Sequence, residues 1–370
     1  MNTILLTLIA EKIQQAGGKI PFAEFMHHAL YTPNLGYYSA NNAILGKQGD
    51  FTTAPESSPL FGQAIANHCQ QVLSQVNNPT VLEFGAGSGK LCIDVLTQLE
   101  KRDALPEKYL ILEVSAFLKE RQRLAIEQSI PHLIDKIQWL DSWPEKPFNG
   151  VMLANEVLDA MPVHRFKWQK QEVFESYIQS PEAGSFTENF EPSDNPHLIQ
   201  HVKALNLPQD HYQSEANLFI DDWIKQCYEC IATGSALLID YGFVQSEYYH
   251  PDRANGTLMC HHQHKAHPNP LINIGEQDIT AHVNFSHVAE MAHQCGWQVA
   301  SFTTQASFLL ANGLLSLLEA ISDEKEYLTA SQQVKLLTHP AEMGELFKVM
   351  ALSKNIELEN CHLTDMRFRL

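Results

Sequence analysis

The sequence predicts an α/β fold built on a mainly parallel sheet, and three observations carry that prediction. Short apolar runs recur at 80–84, 109–114, 137–140, 150–154 and 235–243. Amphipathic stretches of helical length lie between the early ones, the alternation that a parallel sheet demands. The first run then passes directly into Gly85-Ala86-Gly87-Ser88-Gly89-Lys90 and a new amphipathic segment from Leu91. That is a strand, a tight glycine turn and a helix start.

Taken in order, residues 3–16 carry apolar positions at helical spacing and stop at Gly17-Gly18. Pro21 opens a second helix that reaches Tyr31. A polar, turn-rich stretch follows, with Asn34-Leu35-Gly36-Tyr37-Tyr38 and Gly49-Asp50-Phe51-Thr52-Thr53-Ala54-Pro55-Glu56, ahead of a helix over about 59–74. A loop of this length inside a compact chain reads as functional, either a helical cap packed on the sheet or a lid over a ligand. Beyond the alternating core, 164–179 is weakly β-like, and the polar, proline-containing 180–212 reads as an insertion or linker. A helix over about 215–233 leads into the fifth strand, and a His-rich insertion follows over about 245–284. A helix at 285–295 precedes a sixth strand at 297–302, and 347–352 reads as a late strand or a helix end. The chain is expected to divide into a cap and lid over residues 1–78, a core over 79–355 with insertions at about 164–212 and 244–284, and a tail over 356–370.

Composition narrows the function. A net charge of −18 with no basic run excludes a nucleic-acid binder and suits a cationic partner or simply solubility. Seven irregularly spaced cysteines favour reduced thiols over a disulfide framework. The apolar run at 4–10 is too short to span a membrane and lacks a signal-peptide pattern. The expectation is a cytoplasmic protein with no membrane insertion.

A glycine turn at a helix start suits a nucleotide-like cofactor, because glycine allows positive φ and close backbone approach while the helix directs free N–H groups at the ligand. Phosphate-binding loops require G-x-x-x-x-G-K-[ST], and here Phe84 stands five before Gly89 and Leu91 follows Lys90. The dinucleotide fingerprint G-x-G-x-x-G also fails, since the spacing is G-x-G-x-G. Glu83-x-Gly85-x-Gly87-x-Gly89 resembles motif I of class I S-adenosylmethionine-dependent methyltransferases instead.

Open α/β sheets bind ligands beyond the carboxyl ends of their strands, so the polar residues there matter most. Glu113, flanked by apolar residues, is placed to accept ribose hydroxyls. Asp141 with Ser142 suits an adenine amino group or, equally, a helix cap over Ser142-Trp143-Pro144-Glu145. Asn155-Glu156-Val157-Leu158-Asp159 ends the fourth strand with three polar groups among apolar ones. Buried carboxylates there either form a structural network or grip a cation such as a guanidinium, orienting it and taking its proton. Cys227-Tyr228-Glu229-Cys230 lacks a second pair for a metal, and Cys260-His261-His262-Gln263-His264-Lys265-Ala266-His267 could gather one that methyl transfer does not need.

Further motifs follow in order: Leu35-Gly36-Tyr37-Tyr38, Gly49 to Glu56, Leu60-Phe61-Gly62, Glu113-Val114-Ser115, Asn155-Glu156-x-x-Asp159-Ala160-x-Pro162-Val163, Asp240-Tyr241-Gly242-Phe243 and Gln277-Asp278-Ile279-Thr280-Ala281-His282-Val283. Together they resemble the MidA-type family, the bacterial and mitochondrial methyltransferases linked to respiratory complex I assembly. The resemblance covers about residues 20–355. It implies a Rossmann-like class I methyltransferase sheet with an N-terminal helical cap, an inserted substrate region and S-adenosylmethionine as donor. It further implies that Glu83, Gly85, Gly87, Gly89, Glu113 and Asp141 hold the cofactor, with Gly49, Asp50 and Thr52 closing over it. Asn155, Glu156 and Asp159 would face the methyl acceptor, with Gln277, Asp278, Thr280 and His282 as a second acceptor-side motif. The implied acceptor is an exposed arginine of a protein, such as a complex I subunit. A small-molecule methyltransferase and a cofactor-binding assembly factor without turnover are the alternatives. One departure is visible: Asn284 stands where an aspartate is expected, which bears on a cationic substrate.

Overall fold

The computed structural model describes residues 3–40, 53–182, 184–207, 209–358 and 364–370. The chain forms two compact units, each discontinuous in sequence.

The larger unit comprises 52–157, 222–242 and 285–370. Its strands are β1 (Pro79–Phe84), β2 (Lys108–Leu112), β3 (Ile137–Leu140), β4 (Phe148–Asn155), β5 (Ile231–Phe243), β6 (Gln298–Thr304) and β7 (Phe347–Lys354). They hydrogen-bond in the order β6-β7-β5-β4-β1-β2-β3. β5, β4, β1, β2 and β3 run parallel, while β7 is antiparallel to both β5 and β6. Strand order reverses between β1 and β4, where Phe84 pairs with Ala154. This is the topological switch point, and sheets of this kind bind ligands beyond the carboxyl ends of the strands there.

Helices α1 (Pro59–Leu73), α2 (Lys90–Lys101), α3 (Ala116–Ser129) and α4 (Phe285–Cys295) belong to this unit. Val81, Tyr109, Ile111, Val151, Leu153, Leu237 and Val349 from alternate strand positions meet Phe61, Ile65, Val95 and Leu99 in one apolar core. Gly62 permits the close approach of α1 to α2, since a Cβ there would lie 2.5 Å from the Cβ of Asp94. Gly62→Ala is accordingly expected to destabilise the protein by about 1–3 kcal/mol, although alanine favours helix; urea denaturation reads this, and an unchanged midpoint would refute the packing account.

The smaller unit comprises residues up to 51 together with 158–221 and 243–284. Helices Thr3–Gln15 and Phe22–Tyr31 pack through Leu5, Ile9, Phe25 and Leu30 on a core that includes Val163, Ile178 and Ile279. An antiparallel sheet runs through Ile20–Pro21, Glu172–Glu182, His164–Gln169 and Tyr212–Ala216, with Ser185–Pro192 paired to Glu172–Glu182. A second sheet joins Lys265–His267, Met259–His262 and Asp278–Thr280.

Three expectations change. The stretch 180–212 is not a linker: it holds the strand Ser185–Pro192 and the helix Pro196–Ala204. The strand's half-buried alternation places Phe186 and Phe190 on one side, a period-two signal that polar composition obscured. The helix expected from 215 begins only at Phe219, because Tyr212–Ala216 pairs with His164–Gln169. The segment 347–352 is a strand, paired with β5 throughout and with β6 from Lys348 onward.

Candidate active site

The glycine turn leaves β1 with Gly85, Gly87 and Gly89 all at positive φ, +60°, +54° and +85°. Gly89 caps α2, and its N–H donates to the Ala86 carbonyl at 2.7 Å. A Cβ built on Gly85 meets no described residue within 4 Å, so the turn is open there among the described residues. Ser88 donates its hydroxyl to the Glu56 carboxylate, which ties the turn to the helical turn Ala54–Ser57.

Glu113 lies one residue beyond β2 and is only 4% exposed. One carboxylate oxygen accepts from the Ser115 N–H at 2.9 Å and the other from the Gln122 side-chain amide at 2.9 Å. Burial raises its pKa, and these hydrogen bonds oppose the rise. The Val114 backbone also hydrogen-bonds this carboxylate, which with four lone-pair sites keeps acceptor capacity for a ribose hydroxyl. Gln122 also donates to the Gly87 carbonyl at 3.1 Å, so the structure brings Glu113 and the glycine turn together through a residue that the sequence reading missed. A signal was present: Leu118, Gln122 and Ile126 are the buried positions of α3, a glutamine in an otherwise apolar stripe.

Asp141 follows β3, is 94% exposed and pairs with Lys119 of α3. Ser142 is exposed, and no helix follows it before β4, which removes the capping alternative. Gly49, Asp50 and Thr52 lie outside the described residues.

Glu83 sits inside β1 beneath the turn, accepting from the Tyr109 hydroxyl at 2.6 Å. Burial above all, then nearby Glu113, lifts its pKa from 4.5 to about 7, against the Tyr109 hydrogen bond. A carboxyl with a higher pKa folded than unfolded contributes stability that is fully present below 4.5 and lost as pH rises through about 7. Between pH 5 and pH 8, the stability of Glu83→Gln relative to the parent is expected to improve by up to roughly 3 kcal/mol. Urea denaturation at the two pH values tests this, and a gap that ignores pH would contradict it.

Across the switch point, β4 ends at Asn155. Its amide donates to Glu156 Oε1 at 3.1 Å, while the buried Asn155 Oδ1 has no hydrogen-bond partner among the described residues. Glu156 has φ +54°, a left-handed conformation that side chains rarely adopt and that persists where surrounding structure enforces it. Here β5 enforces it: the Ile239 carbonyl accepts from Glu156 N–H at 2.9 Å, and fully buried Asp240 accepts from Val157 N–H at 3.2 Å.

In the smaller unit, Asp159 is buried, and its carbonyl accepts from Ala281 N–H at 3.0 Å. This joins it to the motif from Gln277 to Val283. Tyr38 donates to Asp278 Oδ1 at 2.8 Å and stacks on Tyr31, with ring centroids 5.6 Å apart. Burial, then Asp278 and Asp159, holds the Tyr38 phenol well above its usual pKa. Two carboxyls and two aromatic faces therefore share one locality. His282 stacks on Phe243 at 5.1 Å, and the Arg253 guanidinium lies 4.0 Å from the Phe243 ring centroid. Gln277 is buried and donates to the Asn269 and Pro270 carbonyls, and Thr280 donates to the Met259 carbonyl at 3.5 Å. Asn284 is hydrogen-bonded to Tyr249, a structural tie for the position where an aspartate was expected. Among the described residues, no group of three or more His, Cys, Asp or Glu is arranged to hold a metal.

A parallel sheet with an open glycine turn, a buried carboxylate one strand away and an orphaned amide oxygen at the switch point defines a nucleoside-cofactor transferase site, and the residues fit S-adenosylmethionine. The chain belongs to the Methyltransf_28 family of S-adenosyl-L-methionine-dependent methyltransferases, whose model matches residues 61–303. It is 38% identical to a Burkholderia thailandensis protein crystallised with S-adenosyl-homocysteine, covering 100% of this chain and 97% of that one, with a TM-score of 0.95. It is 29% identical to the Drosophila melanogaster protein arginine methyltransferase NDUFAF7 homolog, over 90% of this chain and 82% of that protein. It is 28% identical to the Homo sapiens protein arginine methyltransferase NDUFAF7, over 96% of this chain and 85% of that protein. The Rossmann-like fold, the methyltransferase class and the cofactor thus stand as expected. The cytoplasmic expectation does not: these curated relatives are named as mitochondrial. Unpaired cysteines report reducing surroundings, not a particular compartment.

Proposed function

We propose that this enzyme methylates an arginine side chain of a protein. The observation that carries the reading is the acidic, aromatic locality of Asp159, Asp278, Tyr31 and Tyr38. Planar, permanently charged guanidinium is matched by paired carboxylates and by aromatic faces. The arginine methyltransferase names of the curated relatives support the same substrate. A small-molecule acceptor and a non-catalytic scaffold are less well supported, since nothing comparable favours either.

Bound S-adenosylmethionine supplies an electrophilic sulfonium methyl group. Glu83, the three glycines, Glu113, Asp141 and Ser142 are the residues proposed to hold it, with Gly49, Asp50 and Thr52 closing over it. Asn155, Glu156 and Asp159 are the residues proposed to orient the guanidinium, together with Asp278 and His282 of the second acceptor-side motif. A carboxylate localises charge away from the attacking nitrogen and accepts the proton released, work that depends mainly on positioning. A respiratory complex I subunit is the specific acceptor that the family resemblance suggests.

The test uses radiolabelled S-adenosylmethionine and a lysate of the source cell lacking this gene. Label on one protein band, with methylarginine found by mass spectrometry, is the expected result. Label on another residue type, or only in the small-molecule fraction, would overturn the arginine assignment.

A further inference from the structure

α3 presents one buried stripe, Leu118, Gln122 and Ile126, spaced four residues apart as a helix requires. An apolar side chain would fill the middle position, yet Gln122 is there and is 0% exposed. A buried amide must satisfy two donors and an acceptor or lose stability. Gln122 Nε2 donates to the Gly87 carbonyl at 3.1 Å and to Glu113 Oε2 at 2.9 Å, and its Oε1 accepts from the Trp139 indole N–H at 2.9 Å. These partners come from the turn after β1, the end of β2 and the interior of β3. The Gln122 backbone also lies against Gly89, where a Cβ would fall 3.4 Å from the Gln122 Cα.

We propose that Gln122 is a positioning residue for cofactor recognition: its amide fixes the Glu113 carboxylate in one rotamer and in register with the glycine turn. No close relative of the amide does the same work. A carboxylate at 122 would set acceptors against Glu113 and the Gly87 carbonyl. A methionine would keep the volume but leave the Trp139 N–H and both acceptors unmet. Trp139 in turn fixes which end of the amide faces Glu113, because an indole N–H only donates.

The experiment is calorimetric binding of S-adenosylmethionine and S-adenosyl-homocysteine to the full chain, which needs no methyl acceptor. Gln122→Met is expected to bind both about tenfold to a hundredfold more weakly. Trp139→Phe should show a smaller loss, about twofold to fivefold, since the amide keeps its donors. In a Glu113→Ala background the further loss from Gln122→Met should fall below about threefold, because the two residues act through one interaction. The preference for 5′-methylthioadenosine over its 2′-deoxy analogue should shrink in Gln122→Met, a readout that general loosening of the fold would not move. Parental affinity in Gln122→Met, losses that multiply in the double variant, or an unchanged 2′-hydroxyl preference would each overturn the proposal. Should Gln122→Met fail to fold, Trp139→Phe decides it alone, through the same affinities and 2′-hydroxyl preference. A weak effect of Glu113→Ala by itself would instead displace Glu113 as the ribose ligand.

Discussion

A Glu156→Gln, Asp159→Asn double variant is expected to lose methyl transfer by about a thousandfold while binding S-adenosylmethionine as the parent does. Both substitutions keep shape but remove the charge and turn one acceptor oxygen into a donor. The hydrogen bonds that join Gly87, Gln122 and Glu113 involve neither residue, so cofactor affinity is the internal control. If the carboxylates act as a unit, each single variant should approach the loss of the double one, as non-additive catalytic groups do. Radiolabel transfer alongside calorimetry separates the outcomes. Transfer retained within about tenfold of the parent would remove the two residues from the proposed mechanism.

Gly85→Val is expected to weaken S-adenosylmethionine by at least about a hundredfold, for two separable reasons. The residue sits at φ +60°, where a β-branched side chain is strained by about 1–3 kcal/mol. Its side chain would also project into space that no described residue occupies within 4 Å of a Cβ there, the space proposed for the cofactor. Gly85→Ala shares most of the backbone strain but less of the obstruction, so it should unfold at nearly the same urea concentration as the valine variant yet bind more tightly. Equal affinities for the two would make strain the whole cause, and would show that the open space is not the cofactor's.

The parallel core was legible because each strand was a continuous apolar run and the glycine turn carried its own spacing. The acidic residue after the second strand was legible for the same reason: Glu113 interrupts a run that burial makes apolar. What stayed hidden was polarity with the wrong context. Ser185–Pro192 alternates as a strand but looks like a linker by composition, and only pairing with Glu172–Glu182 makes it ordered. Gln122 looks like an ordinary helix residue until its three partners, distant in sequence, surround it. Asp240 was visible in its motif without a role, because holding the Glu156 turn through Val157 depends on β5 lying beside β4. A strained dihedral such as that of Glu156 leaves no mark in a sequence, since glutamate is not a residue chosen for it.

The position of β7 has a consequence for biosynthesis. Among the described residues it is the last strand of this sheet in chain order, yet it lies between β5 and β6, pairing Leu237 with Ala351 on one side and Phe302 with Met350 on the other. Until residue 354 has been synthesised, β5 and β6 have no strand to bridge them, and each carries an open ladder edge that invites pairing with another chain. Up to that point the nascent polypeptide carries an unfinished sheet, exposed to aggregation and dependent on whatever shields it. Ribosome-stalled chains ending before and after this strand should differ abruptly in protease resistance, with the sheet closing only in the longer one.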